Sequence, residues 1–173
     1  MKILQNIYKG MGLASQWSGK IVSYMVLALI ISITFEVIMR YVFNAPTNWS
    51  FSLSYMMGGA ISAVGLAYVF LYKTNVRVDV FYSRFSPKGK LVVDIIFTCI
   101  FFFPLFFMLA WVFGKDALYS FSIHETATES TWYPILWPYK TVLALGFSLA
   151  FLQGIANFIK DVLALAKGGE EPW

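Results

Sequence analysis

Four long apolar runs constrain the fold of this chain more than any other feature of its sequence. They cover about residues 21–43, 51–72, 91–113 and 141–159. Each is close to the ~20 residues that a helix needs to cross the ~30 Å hydrocarbon core of a bilayer. Barrel strands would alternate apolar and polar residues, and these runs do not. The sequence therefore predicts an all-α integral membrane protein with four transmembrane helices.

The predicted organisation is a single four-helix membrane domain over residues 1–166, followed by a disordered tail, 167–173. Two short amphipathic helices are expected to lie on the membrane surface, over residues 3–17 and 76–86. The first is indicated by apolar residues at helical spacing, with lysines and amides on the opposite face.

Composition and charge placement point the same way. Hydrophobic residues make up 59% and charged residues only 13% of the chain, whereas soluble domains carry about 25% charged residues. Ten of the 13 Lys and Arg residues lie on one side of the four runs. The positive-inside rule then places both termini in the cytoplasm. The net charge of +4 is accounted for by this bias and indicates no nucleic-acid partner.

The first apolar run contains Glu36 and Arg40, which are four residues apart. Acid before base at this spacing favours an intrahelical ion pair. Two interpretations remain open: a self-neutralised pair with Arg40 reaching the headgroups, or a pair that faces protein and anchors the helix to a partner. A proton relay is disfavoured, because Glu36 lies about 22 Å along the helix from Ile21, beyond the bilayer centre.

The second run carries a ladder of small residues at successive i+4 positions, Ser54, Gly58 and Ser62. Small residues let helix backbones approach closely in lipid. The ladder suits packing inside the chain and docking of another subunit equally well. In the fourth run, Gln153 and Asn157 are expected to face protein rather than lipid.

The connection between the last two runs contains His124, Glu125 and Glu129. One histidine with two acids is weak support for a metal site, and contact of Glu125 and Glu129 with a soluble partner is a further interpretation. The sequence shows no phosphate-binding glycine loop, no histidine pair for haem and no nucleophile with a base. It therefore favours an accessory membrane subunit without cofactors over an enzyme.

Four segments together resemble one family: EVIMRYVFNAPTNWS, YKTNVRVDVFYSRFSPKGK, ESTWYPILWPYKTVLALGF and LQGIANFIKD. In this order they are similar to the small membrane subunit of tripartite ATP-independent periplasmic (TRAP) transporters, the DctQ-like family. The similarity covers about residues 15–163. Ser52 and Asn75 depart from the residues that many relatives carry there.

The resemblance implies a small scaffold subunit in a bacterial inner membrane, with four transmembrane helices and both termini inside. Its implied partners are a large membrane subunit, with which it forms a heterodimer, and a periplasmic binding protein. The implied activity of the complex is sodium-coupled import of a small organic anion: a carboxylate, 2-oxo or hydroxy acid, sugar acid or sulfonate. The residues that match family-typical positions receive structural or interface roles: Glu36, Arg40, Trp49, Arg77, Asp79 and Lys140.

Two other classes compete with this one. A self-sufficient, homo-oligomeric drug/proton exporter also has four helices and a glutamate in the first, but Glu36 is off-centre and has Arg40 as a neighbour. A purely structural membrane-assembly protein would show no substrate-linked phenotype. The resemblance leads us to expect that Glu36 and Arg40 lie where the first helix docks against protein.

Overall fold

The structure, a computed structural model, describes residues 2–74, 85–128 and 131–167. Its elements, in chain order, are α1 (Lys2–Tyr41), α2 (Ser50–Leu71), α3 (Pro87–Phe97), a π-helical segment (Thr98–Phe102), α4 (Phe103–Ile123) and α5 (Trp137–Ala166). Four stretches are long and apolar enough to cross a membrane: Tyr8–Tyr41, Ser50–Leu71, Lys88–Ile123 and Trp137–Ala166. The predicted all-α fold with four membrane-spanning helices is confirmed.

The four spans run up and down. Gly12 of α1 lies beside Leu71 and Gly19 beside Tyr68, so α1 and α2 are antiparallel. The ring pairs Phe113–Phe147 and Phe121–Trp137 make α4 and α5 antiparallel. The turn after α1 and the connection after α4 therefore lie at one end of the bundle, which we call the loop end. The opposite end, where α1 begins and α5 finishes, is the termini end.

The segment that precedes the first apolar run, residues 2–20, differs from its prediction, and we call this segment the leader. A surface helix over 3–17 was expected to be separate from the first span, but both belong to the unbroken helix α1. The physical reason is that the leader is packed rather than free: the hydroxyl of Ser15 donates to Gln153 Oε1 at 2.8 Å, and both residues are buried. Gly10, Gly12 and Gly19 do not interrupt the helix, and a Cβ at Gly19 would lie 2.3 Å from the Tyr68 ring.

Several predictions concern residues outside the described ranges. Most of the expected surface helix over 76–86 lies there, together with the matched residues Arg77 and Asp79. Glu129 and all but the first residue of the predicted tail do so as well. These expectations stay predictions.

Helix α5 is the centre of the bundle. It packs along α2 and α4, while α1 packs mainly on α2 with a shorter contact to α5. The residues buried on these two helices are mostly small, and they include Ala60, Ala63 and Ala67 on α2 and Gly146, Ala150 and Gly154 on α5. A Cβ at Gly146 would lie 2.7 Å from the backbone carbonyl carbon of Ala63. The two backbones are therefore nearly in contact.

A polar chain crosses this apolar interface. Gln153, which is only 1% exposed, accepts the bond from Ser15, and its Nε2 donates to Asn157 Oδ1 at 3.1 Å. Asn157 Nδ2 in turn donates to the Phe70 carbonyl at 2.8 Å. Buried amides need such partners, and in lipid they link helices. Gln153 and Asn157 do face protein, as the sequence predicts.

Candidate functional site

The loop end contains the Glu36–Arg40 pair. Arg40 donates to Glu36 Oε1 through Nη2 at 2.6 Å and through Nε at 3.1 Å. The other oxygen, Oε2, accepts the backbone N–H of Thr47 at 3.0 Å and also its hydroxyl. Glu36 thus has both oxygens occupied and is 8% exposed. One carboxylate holds both the end of α1 and the turn that leads into α2.

Glu36 and Arg40 pair with each other, and Glu36 is turned towards Thr47 of its own chain. Both interpretations of this pair include that contact, and the anchoring of the helix to a partner stays a prediction. Arg40 keeps 55% of its side chain exposed, so it can still meet a headgroup or another protein. Trp49 fixes the far side of the turn by stacking on Phe35, with ring centroids 6.0 Å apart.

The small residues that form the ladder of α2 lie in two different surroundings. Ser54 lines a cavity of about 290 Å³ together with Glu36 and Arg40. Ser62 is exposed, and its hydroxyl donates to the Gly58 carbonyl at 2.9 Å. A Cβ at Gly58 would meet no atom within 4 Å among the described residues. Packing inside the chain uses the alanines of α2, and the face with Gly58 and Ser62 is left open.

Lys140 forms a second charged cluster at the loop end. Its Nζ lies 2.7 Å from Glu125 Oε2 and 3.0 Å from Asp116 Oδ2. Helix α4 finishes in a Schellman motif: His124 adopts a left-handed conformation with φ 49°, and the N–H of Glu125 donates to the Ser120 carbonyl at 3.1 Å. The motif places Glu125 directly after the helix, within reach of the first turn of α5.

The connection beyond Glu125 is held by backbone hydrogen bonds. The N–H of Ala127 donates to the Pro134 carbonyl at 2.8 Å, and the N–H of Leu136 donates to the Glu125 carbonyl at 3.0 Å. Glu125 is therefore a structural anchor of the connection through both its side chain and its backbone. This is a different role from the expected contact with a soluble partner, which stays a prediction.

Lys140 lowers the pKa of Glu125 from its ordinary value of 4.5, because a nearby cation favours the charged carboxylate. A carboxyl group with a lowered pKa stabilises the folded state above the unfolded pKa. That contribution is lost as the pH falls below about 4.5 through the lowered value.

We expect a ¹³C-glutamate NMR titration in detergent to give Glu125 a pKa below 4.5, and we expect Lys140→Met to raise that pKa. Lys115→Met is the control, since Lys115 lies over the Trp111 ring; equal shifts in both variants would contradict the assignment.

A third ion pair lies at the termini end. Helix α2 also finishes in a Schellman motif, with Lys73 at φ 51° and the Thr74 N–H donating to the Val69 carbonyl at 3.2 Å. Lys73 Nζ then reaches Asp161 Oδ1 of α5 at 2.8 Å. The charges at both ends of the bundle therefore lock neighbouring helices together.

Sequence reasoning missed the partners that complete these clusters. Thr47 lies 11 residues from Glu36, and Asp116 and Lys140 are on different helices, so no helical spacing connects them. The hydroxyl next to Pro46 in a short turn was the one available signal for Thr47. The Lys73–Asp161 pair carried no sequence signal.

The acids of these clusters are occupied by the chain's own cations. Glu36, Glu125 and Asp161 each have an ion-pair partner. In the described ranges no three His, Cys, Asp or Glu residues come together as a metal site. The His124 ring lies beside Phe121, with centroids 6.4 Å apart. This arrangement brings helices and turns together, and we assign these described groups no reaction chemistry.

Comparison with known proteins identifies the family. The family model described as "Tripartite ATP-independent periplasmic transporters, DctQ component" matches residues 29–164, which is most of the chain. No protein in the curated collection matches. The match includes the Glu36 cluster, the open face of α2 and the Lys140 cluster. Four membrane-spanning helices fit the bacterial inner membrane, where the family resides. The chain belongs to the DctQ family and is the small membrane component of a TRAP transporter.

Proposed function

We propose that this subunit braces the large membrane subunit of a sodium-coupled importer of small organic anions and helps to dock its periplasmic binding protein. The observation that carries the bracing role is the open face of α2. Gly58 and Ser62 present almost no side-chain bulk there, and close helix approach in lipid needs such a surface. We infer that a helix of the large subunit covers this face as one half of a heterodimer.

The spans bury unequal shares of their residues inside the chain. In the most apolar windows of the first and third spans 6% of residues are buried, against 33% in the fourth, so most of these two spans is available for contact with lipid or with the large subunit. Sodium coupling and the substrate class rest on the resemblance to the family, with the transport chemistry assigned to the large subunit.

The loop end supports the docking role. The turn between α1 and α2 and the connection between α4 and α5 stand at the same end, each held by an ion-paired glutamate. We propose that this end faces the periplasm and that both termini are cytoplasmic, as the distribution of Lys and Arg predicts. The described parts of the two loops, held by these ion pairs, offer a soluble protein a defined surface. Arg40 contributes an exposed charge to it.

The test is co-purification of a tagged Gly58→Leu variant with the large subunit encoded beside this chain. Leucine meets no described atom of its own chain within 4 Å of the Cβ position and favours the helix by about 1 kcal/mol over glycine. The subunit itself should fold as before. We expect complex recovery to fall by about tenfold or more, which corresponds to ~1.4 kcal/mol of binding free energy.

Gly114→Leu is the matched control. Its Cβ also meets nothing within 4 Å, but Gly114 lies on α4 rather than on the open face of α2. Full recovery of the complex with Gly58→Leu would show that the large subunit binds elsewhere. If the wild-type chain instead purifies as a homo-oligomer that does not bind the neighbouring protein, the proposed bracing of the large subunit is wrong.

A further inference from the structure

A long groove runs between α1 and α2, and a cavity lies at each of its ends. The cavity nearer the loop end has a volume of about 290 Å³ and includes Val37 of α1 and Phe51 of α2. The cavity nearer the termini end has a volume of about 460 Å³ and includes Ser23 of α1 and Gly65 of α2. We call this surface the α1–α2 groove.

Both cavities lie on the open face of α2. Phe51, Gly58 and Gly65 follow one another at intervals of seven residues, which is close to two turns of a helix, so all three lie on the same side. A Cβ at Gly58 would meet no atom within 4 Å among the described residues, and one at Gly65 would meet only Val22 of α1, at 3.9 Å. The floor of the groove therefore carries little side-chain bulk between its two ends.

Helix α1 forms the wall of the groove. Val22 lies beside Gly65, and in the antiparallel register that follows, Ile30 comes level with Gly58. The residues of α1 on this side are exposed and repeat at alternating intervals of three and four: Ser23, Val26, Ile30, Ile33 and Val37. This stripe begins in one cavity and ends in the other, so the wall is as continuous as the floor.

The length and the spacing of the groove fit a transmembrane helix. Phe51 and Val69, which line opposite ends, are 18 residues apart, about 27 Å along a helix. That is close to the ~30 Å hydrocarbon core, whereas an acyl chain occupies one leaflet. Alternating intervals of three and four are the pattern by which helices that cross at about 20° stay in contact over many turns. Small residues on α2 permit close approach, and the branched side chains of α1 supply packing area.

A second face of α1 is equally exposed but lacks this shape. Tyr24, Ile31 and Ile38 are seven residues apart and exposed, and they line neither cavity. Exposure alone therefore does not distinguish a contact surface from a surface that faces lipid. The groove is distinguished by having two helical sides and by its continuity with the open face of α2. The occupant is available within the family, because a DctQ component works with a large membrane subunit.

We propose that one apolar transmembrane helix of the large subunit lies along the α1–α2 groove and contacts both helices across the bilayer. This inference rests on the proposed function, which assigns the open face of α2 to the large subunit, and it adds α1 as the second half of the contact surface. The contact residues on α1 are those of the stripe from Ser23 to Val37. Tyr24, Ile31 and Ile38 face lipid.

The experiment is site-specific photo-crosslinking in membranes that contain the full chain and the tagged large subunit. Benzoylphenylalanine replaces either Ile30 or Ile31, and adducts are detected through the tag. The two positions are matched, because both are isoleucines of the same helix turn and are 55% and 69% exposed. Random collision would favour Ile31. We expect at least about tenfold more adduct from Ile30, and a scan from Val26 to Ile38 should give adducts at alternating intervals of three and four.

Co-purification of tryptophan variants is the second measurement, since a bulky side chain in the groove should exclude the partner helix. We expect Ile30→Trp to lower recovery of the complex by about tenfold and Ile31→Trp to leave it unchanged. Neither substitution adds bulk to a buried position of the chain itself.

The outcomes separate this inference from the proposed function. If the wild-type subunits do not co-purify, the proposed function is wrong and this inference is wrong with it. If they co-purify but Ile31 gives as much adduct as Ile30, or Ile30 gives adducts with lipid alone, the large subunit binds outside the groove and only this inference is overturned. Full recovery of the complex with Ile30→Trp would overturn it as well.

Discussion

Gly146→Leu is expected to prevent α2 and α5 from packing and to unfold the centre of the bundle. Even a Cβ at this position would lie 2.7 Å from the Ala63 carbonyl carbon and 2.8 Å from the Val64 nitrogen. These are backbone atoms, which cannot turn aside as a side chain can. Overpacking a core costs about 1–3 kcal/mol and occasionally more, and we expect the upper end of that range. Thermal unfolding in detergent, followed by circular dichroism, measures it.

Gly114→Leu is again the matched control, because its Cβ position is open, and its melting temperature should equal or exceed that of the wild type. Gly146→Ala is a graded variant, which should lower the melting temperature less than leucine does. If Gly146→Leu melts like the wild type, α2 and α5 do not approach as closely as described.

Glu36→Leu is expected to release the turn between α1 and α2. It removes the acceptor for both Thr47 donors and leaves the Arg40 guanidinium without its carboxylate. The Thr47 donors are half-buried, and a donor shielded from water is costly without its acceptor, so the turn should rearrange to expose them. Hydrogen exchange of the Thr47 amide, which donates to Glu36 Oε2 at 3.0 Å, should become faster by at least about tenfold, equivalent to ~1.4 kcal/mol of lost protection. Assembly with the large subunit or transport should weaken as a consequence.

Two further variants separate the contributions within this cluster. Arg40→Leu keeps the bond between Glu36 and Thr47, and should change exchange at Thr47 much less. Thr47→Val removes the hydroxyl but keeps the amide, and should lie between the two. An unchanged Thr47 amide in Glu36→Leu would contradict the role of this carboxylate, and normal transport by that variant would limit its role to local structure.

The spans were predictable because lipid imposes one requirement on every residue that crosses it. Backbone hydrogen bonds must be made inside the segment, so about 20 apolar residues in a row predict a helix. The start of α1 was harder to predict, because an amphipathic leader can form a separate helix on the membrane surface or can extend the first span. The contact of Ser15 with Gln153, 138 residues away, holds the leader as an extension of the span.

Some contacts of the charged residues could likewise be predicted from the sequence, and others could not. Spacing alone predicted the Glu36–Arg40 pair, because four residues bring two side chains to the same face of one helix. It did not predict Thr47, Asp116 or Asp161 as partners, since these contacts join different elements. The ladder of Ser54, Gly58 and Ser62 was recognisable in the sequence, but which face α5 covers depends on how the helices rotate against one another.

The sequence by itself therefore determined the all-α membrane class, the four spans and the resemblance to the DctQ family, since these depend on hydropathy and on local order along the chain. Tertiary structure alone decided that α5 is central, that Gly146 lies against the backbone of Ala63 and that Gly58 faces outward. The physical reason is that small residues permit close approach on any side of a helix. Only the packing of the other helices selects the side that is used.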